Sequence, residues 1–113
     1  HKTTRLVAEK LNLNQNQYDM SFQSRFGTEE WLKPYTDKTL VDYAEKNIKN
    51  VHIISPGFSV DCLETLEEIK IQYLDLFHKN GGKELYYIPC LNESDDHIKL
   101  IKTIIMDNIS GWK

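Results

Sequence analysis

Two short β-rich runs, Val51-His52-Ile53-Ile54-Ser55 and about Glu84 to Ile88, are each stopped by a proline and each followed by a helical stretch. That punctuation constrains the fold more than any other feature of the chain. Pro56-Gly57 breaks the first run, and a long helix is expected from Cys62 to about Asn80, closed by the C-cap signal Gly81-Gly82. Pro89 ends the second run, and a last helix is expected from about Asp95 to Asn108 behind Ser94 as N-cap. Strands separated by a helix of this length need a crossover, so they should be parallel and connected right-handedly. The first run is almost wholly apolar, as a strand covered by helices on both faces should be.

Upstream the alternation continues. From Thr3 to Leu13 the residues Leu6, Val7, Ala8, Leu11 and Leu13 recur at helical spacing. Tyr18 to Arg25 reads as a strand ending in polar residues, and Phe26-Gly27 turns the chain toward Trp31-Leu32 and the breaker Pro34. Thr36-Asp37-Lys38-Thr39 opens a helix through about Ile48, with Leu40, Val41, Tyr43, Ala44 and Ile48 as its buried set. The expected order is α-β-α-β-α-β-α, an α/β fold with a parallel sheet flanked by helices. Three strands make a narrow sheet. A chain that opens inside a periodic segment, without an initiator Met or a cap, is expected to be cut from a longer polypeptide, with a fourth strand upstream of residue 1.

At 113 residues, with 40% hydrophobic and 27% charged, the chain suits one globular domain and not two. Its 14 basic residues are scattered and outnumbered by 17 acidic ones, which argues against a nucleic-acid partner, since phosphate binding leaves a clustered basic footprint. No run approaches the roughly 20 apolar residues of a membrane span, and no signal segment opens the chain, so no transmembrane segment and a cytoplasmic location are expected. Cys62 and Cys90 are too few for a disulfide framework and too far apart for a zinc or iron–sulfur motif, and both read as free thiols. The sequon Asn92-Glu93-Ser94 carries no meaning in a cytoplasmic protein.

The helix after Pro56-Gly57 carries the chemistry. At about 100° per residue, Leu63, Leu66, Tyr73 and Phe77 fall on one side, and Glu64, Glu68 and Asp75 on roughly the opposite side. Taken alone this is a solvated acidic stripe, and Asp61 with Glu64 three residues on fits a D-x-x-E variant of the capping box. Position gives it a second meaning. Asp61 and Glu64 lie just beyond the carboxyl end of a central strand, where open α/β sheets place their ligands. Parallel strands would bring Gln23-Ser24-Arg25, Ser55-Pro56-Gly57 and Pro89-Cys90-Leu91-Asn92 to that same edge. A rim holding an Arg, a Trp, several amides and two or more carboxylates suits a flat, partly apolar, anionic ligand together with a cation.

The motifs Ser21-Phe22-Gln23-Ser24-Arg25-Phe26-Gly27, Trp31-Leu32-Lys33-Pro34-Tyr35-Thr36-Asp37 and Pro56-Gly57-Phe58-Ser59-Val60-Asp61-Cys62-Leu63-Glu64-Thr65-Leu66-Glu67-Glu68-Ile69 closely resemble the C-terminal half of ferrochelatases, in their proteobacterial form. So does Gly81-Gly82-Lys83 leading into Tyr87-Ile88-Pro89-Cys90-Leu91-Asn92. The resemblance covers nearly the whole chain in order and spacing. It implies a chelatase-like (flavodoxin-like) half-domain, one of two similar α/β halves facing each other across a porphyrin cleft. It also implies a lyase that inserts ferrous iron into protoporphyrin IX, the terminal step of haem synthesis. Partners are then protoporphyrin IX, ferrous iron as substrate and the missing N-terminal half, with no tightly bound cofactor; two cysteines are too few for the iron–sulfur cluster some members carry.

Carried over by motif, Glu64 falls on the family's active-site glutamate, which binds iron or accepts pyrrole protons together with a histidine of the first half. Glu68 falls on the next acidic position, and Gln72 on a third that is Glu in some members. Trp31 and Gln23-Ser24-Arg25 match positions lining the cleft near the macrocycle and its propionates, and Asp61 joins them as a substrate-side residue. None of His1, His52, His78 and His97 sits at metal-ligand spacing beside Glu64, and His52 reads as a core or edge strand residue. Cys62 occupies a position that is often His in other members. The alternatives are a related cobalt or sirohydrochlorin chelatase, and a non-catalytic flavodoxin-like binding module.

Overall fold

A computed structural model describes residues 1–25 and 27–112 of the chain; the Phe26 part of the expected turn lies outside them. In chain order it shows α1 (Lys2–Lys10), α2 (Thr36–Glu45), β1 (Asn50–Ile53), a π-helix (Glu64–Tyr73) running directly into α3 (Leu74–Lys79), β2 (Glu84–Tyr87) and α4 (Asp95–Ile109). The strands β1 and β2 pair in parallel, Val51 opposite Leu85 and Ile53 opposite Tyr87, so the helix between them is the expected crossover. The crossover ends on a Schellman motif: the Gly82 N–H reaches the Phe77 carbonyl at 2.9 Å, the Gly81 N–H reaches that of His78 at 3.0 Å, and Gly81 has φ +95°.

The core is built where the crossover packs against the sheet and α2. Leu40, Ala44, Phe77 and Leu85 are buried together, with Val51, Ile53, Tyr43, Tyr73 and Leu74 packed around them. Gly82 belongs to the same contact, because a Cβ there would stand 2.4 Å from the Phe77 ring. Burial alternates along β1, so only Val51 and Ile53 face this core. The expected cover on both faces is not seen: on the open face His52 stacks on Tyr86 at 4.7 Å, and Tyr86 is exposed. Val41 and Tyr43 of α2 are half-buried, but Ile48 lies beyond the end of the helix and is exposed.

Two further expectations are corrected. Tyr18 to Arg25 is not a strand of the sheet. Its one ladder contact is Phe22 with Tyr35, through the Phe22 N–H to the Pro34 carbonyl at 2.9 Å and the Thr36 N–H to the Phe22 carbonyl at 3.1 Å. Local pairing with the approach to α2 takes its hydrogen bonds, and Ser24 then leaves extended geometry at φ +59°. The helix after Pro56-Gly57 is also not α-helical in its first ten residues. Its fully buried residues are Thr65, Ile69 and Phe77, with Tyr73 half-buried between the last two, a spacing of four. Leu63 and Leu66, assigned to the core side by a 3.6-residue period, are exposed. The wider π turn, with its i→i+5 pairing, moves the buried stripe away from where an α-helix would put it.

Candidate active site

The loop Gln23–Arg25 lies against the π-helix, held by side chains of both. Gln23 joins three segments: its Nε2 donates to the Glu64 carbonyl at 2.8 Å, and its Oε1 accepts the Ser55 hydroxyl at 3.0 Å. Gln23-Ser24-Arg25, the end of β1 and the start of the Glu64 helix therefore meet at one edge, although the first of them is not a strand. Ser24 presents its N–H to Glu68 Oε1 at 2.9 Å and its hydroxyl to Oε2, while the Tyr73 hydroxyl donates to Oε1 at 2.6 Å. Three donors thus fix the Glu68 carboxylate. Burial and the bond to Glu68 push the Tyr73 phenol above its usual range, so Tyr73 stays a donor.

An open cleft of about 600 Å³ runs along this junction, and Ser24, Arg25, Leu63, Glu64, Glu68 and Tyr73 are among the residues lining it. Glu67, Gln72 and Asp37 complete the lining, so acidic groups dominate and Arg25 is the basic residue among them. Arg25 Nη2 pairs with Asp37 Oδ2 at 2.8 Å, and its guanidinium lies 4.5 Å above the Tyr35 ring. Held on both sides, it retains half of its side-chain surface exposed. Glu64 differs from Glu68 in being exposed. The Cys62 thiol, two residues before it, is the chief influence holding the Glu64 carboxyl below the ordinary glutamate range, with its own backbone N–H adding to the effect, so Glu64 lines the cleft as a carboxylate.

The remaining residues expected at the site stand elsewhere. Trp31 is partly exposed and gives its indole N–H to the Gln23 carbonyl at 3.0 Å; neither it nor Gln23 is among the residues lining the cleft. Asp61 is not a lining residue either, and the D-x-x-E capping box does not form, since the Asp61 N–H is given to Asn92 Oδ1 at 2.8 Å. The Asp61 carboxylate is held well below the usual range, first by the Asn92 amide, then by the Tyr87 hydroxyl, with Thr65 and the Cys90 N–H adding to them. Of the histidines, His78 Nε2 meets the Lys83 carbonyl at 2.7 Å and His97 Nδ1 that of Asn92 at 2.6 Å. Among the described residues no three His, Cys, Asp or Glu side chains are grouped to hold a metal ion.

A period of 3.6 residues places Tyr73 with Phe77 on the core side, where its ring does pack, but misses the work of its hydroxyl. That hydroxyl reaches Glu68, five residues earlier, and Gln72 Nε2 reaches Glu67 Oε1 at 3.3 Å over the same interval. Residues five apart diverge by about 140° on an α-helix and come together only where the turn is widened. Gln72 thus binds the neighbouring carboxylate in place of adding one.

The family model for ferrochelatase matches residues 1–109. The chain belongs to the ferrochelatase family. A ferrochelatase of Dechloromonas aromatica is 53% identical over 112 residues, 99% of this chain and 30% of that protein. One from Pseudoalteromonas atlantica is 51% identical over 113 residues, 100% of this chain and 31% of that protein, and one from Marinobacter nauticus is 50% identical over 112 residues, 99% and 30%. The chain therefore spans about 30% of the length of the ferrochelatases it matches. Family membership agrees with the observed crossover unit, an α/β chelatase-like half-domain with a parallel pair of strands.

Proposed function

We propose that the complete protein inserts ferrous iron into protoporphyrin IX, and that this chain supplies the carboxylate-bearing wall of the cleft. The observation that carries the proposal is the exposed Glu64, held toward its ionised form, in the lining of a cleft that also holds Arg25. Metallation breaks two pyrrole N–H bonds, forms bonds from the four nitrogens to iron and releases two protons. Glu64 serves at this step as oxygen ligand to the incoming dication and as acceptor of a pyrrole proton. Glu68, next along the cleft, is the onward proton acceptor, taking a proton in place of one of the hydroxyl donors that now hold it. The exposed part of Arg25 pairs with a propionate; Trp31, outside the lining but tied to Gln23, offers its exposed ring to the macrocycle, and Gln23 and Ser24 hold the wall in shape. Iron is substrate on this reading, no tightly bound cofactor or iron–sulfur cluster is required, and the reaction belongs in the cytoplasm. No helix among the described residues is long and apolar enough to cross a membrane.

The test is an anaerobic incubation of the complete polypeptide with protoporphyrin IX and a ferrous salt, in parallel with sirohydrochlorin and cobalt. Haem formation, read as loss of free-porphyrin fluorescence, is expected in the first arm. Turnover confined to sirohydrochlorin would replace this reading with that of the related chelatase.

A further inference from the structure

Asp61 has no place in the wall of the cleft, yet its carboxylate collects donors from three parts of the chain. Oδ1 accepts the Tyr87 hydroxyl at 2.5 Å, the Thr65 hydroxyl at 2.9 Å and the Cys90 N–H at 3.4 Å; Oδ2 accepts Asn92 Nδ2 at 2.8 Å. Asn92 returns the contact by taking the Asp61 N–H, so the two residues are joined by a reciprocal pair of bonds. Asn92 is itself fixed: it sits at φ +48°, gives its N–H to the Ser59 carbonyl at 3.0 Å, and offers its carbonyl to the buried His97. On the other side, Thr65 is fully buried, adjoins Glu64 in sequence, and its oxygen accepts the Cys62 N–H at 3.0 Å. The Thr65 hydroxyl has one proton for two acceptors within reach, Asp61 and the Cys62 carbonyl, and the ionised carboxylate is the stronger.

We propose that Asp61 is a positioning residue for Glu64: with Asn92 it clamps the first turn of the π-helix to the loop after β2 and so sets where the Glu64 carboxylate stands. This rests on the reading of Glu64 as the reacting carboxylate. A metal or a proton taken up by Asp61 would displace donors that now tie three segments together, which separates its role from that of the exposed Glu64.

The arrangement can be exchanged without loss of a bond. In the double variant Asp61→Asn/Asn92→Asp, the amide placed at 61 keeps its oxygen for Tyr87, Thr65 and the Cys90 N–H and turns its nitrogen to the carboxylate placed at 92. Only the charge has moved. In the complete protein Asp61→Asn alone, which sets an NH2 against NH2 or O–H donors, should lower kcat by about 10- to 100-fold with KM for protoporphyrin within about twofold. The double variant should recover to within a few-fold of wild type. Near-normal kcat in Asp61→Asn, or no recovery in the double variant, would overturn the proposal in favour of a direct role or none. Should Asp61→Asn fail to fold by circular dichroism, Tyr87→Phe removes one donor and leaves the charge. A several-fold drop in kcat at unchanged KM is expected there, and an unchanged kcat would count against the clamp. A wild-type protein that inserts no iron would instead remove the functional reading, and this proposal with it.

Discussion

At the scale of single residues, the two cleft carboxylates are distinguished by what donates to them. Glu68 is closed off by Ser24 and Tyr73, whereas Glu64 is open to the cleft and is influenced chiefly by the Cys62 thiol two residues before it. That thiol favours the ionised form and lowers the Glu64 pKa, so removing it lets the pKa rise. Cys62→Ala in the complete protein should therefore move the acid limb of kcat/KM for metallation to higher pH, because the carboxylate now protonates earlier as pH falls. A pH–rate profile measures this directly, and an unmoved or downward-shifted limb would show that the thiol does not control Glu64. The sequence set Glu64 beyond the carboxyl end of a strand and Glu68 by its resemblance to the family motif, and both line the cleft; Arg25 lines it too, but from a loop and not from the strand expected there. The inward role of Asp61 was not legible there, because its partners Tyr87 and Asn92 lie 26 and 31 residues away and nothing local pairs them.

The elements divide by whether local rules decide them. Both strands of the sheet, their parallel pairing and the Gly81-Gly82 stop follow from punctuation and apolar runs, and the structure has them close to the expected positions. The 18–25 segment has strand composition, but its backbone groups pair with the approach to α2, a choice made by tertiary proximity. The π-helix escapes any 3.6-residue template, since its buried residues recur every four and its side-chain pairs every five. At the C-terminal end of α3, Phe77 and Gly82 form a contact with no spare volume. Gly82→Ala should destabilise the fold by about 1–3 kcal/mol through overpacking against the ring. Urea unfolding of the complete protein would show it as a lower midpoint at unchanged slope. A wild-type midpoint would mean that the ring moves aside freely.

At the scale of the whole molecule, the chain is extended for its size. Its radius of gyration is 16.8 Å, against about 13 Å for a compact domain of this length. The excess lies with helices whose apolar residues lack cover: Leu6 on α1, and Ile98, Ile101, Ile104 and Ile105 on α4, are all exposed. The cleft is likewise open, and its described lining presents carboxylates without a histidine. The 113 residues alone should accordingly insert little or no metal, read as unchanged porphyrin fluorescence; measurable insertion by them would show that one wall suffices. The central claim is that Glu64 is the reacting group this wall contributes. It is tested most directly by ferrous iron insertion into protoporphyrin by the complete protein carrying Glu64→Gln, with porphyrin binding measured on the same sample. Insertion should be largely abolished while protoporphyrin still binds; insertion at a near-normal rate would contradict the account.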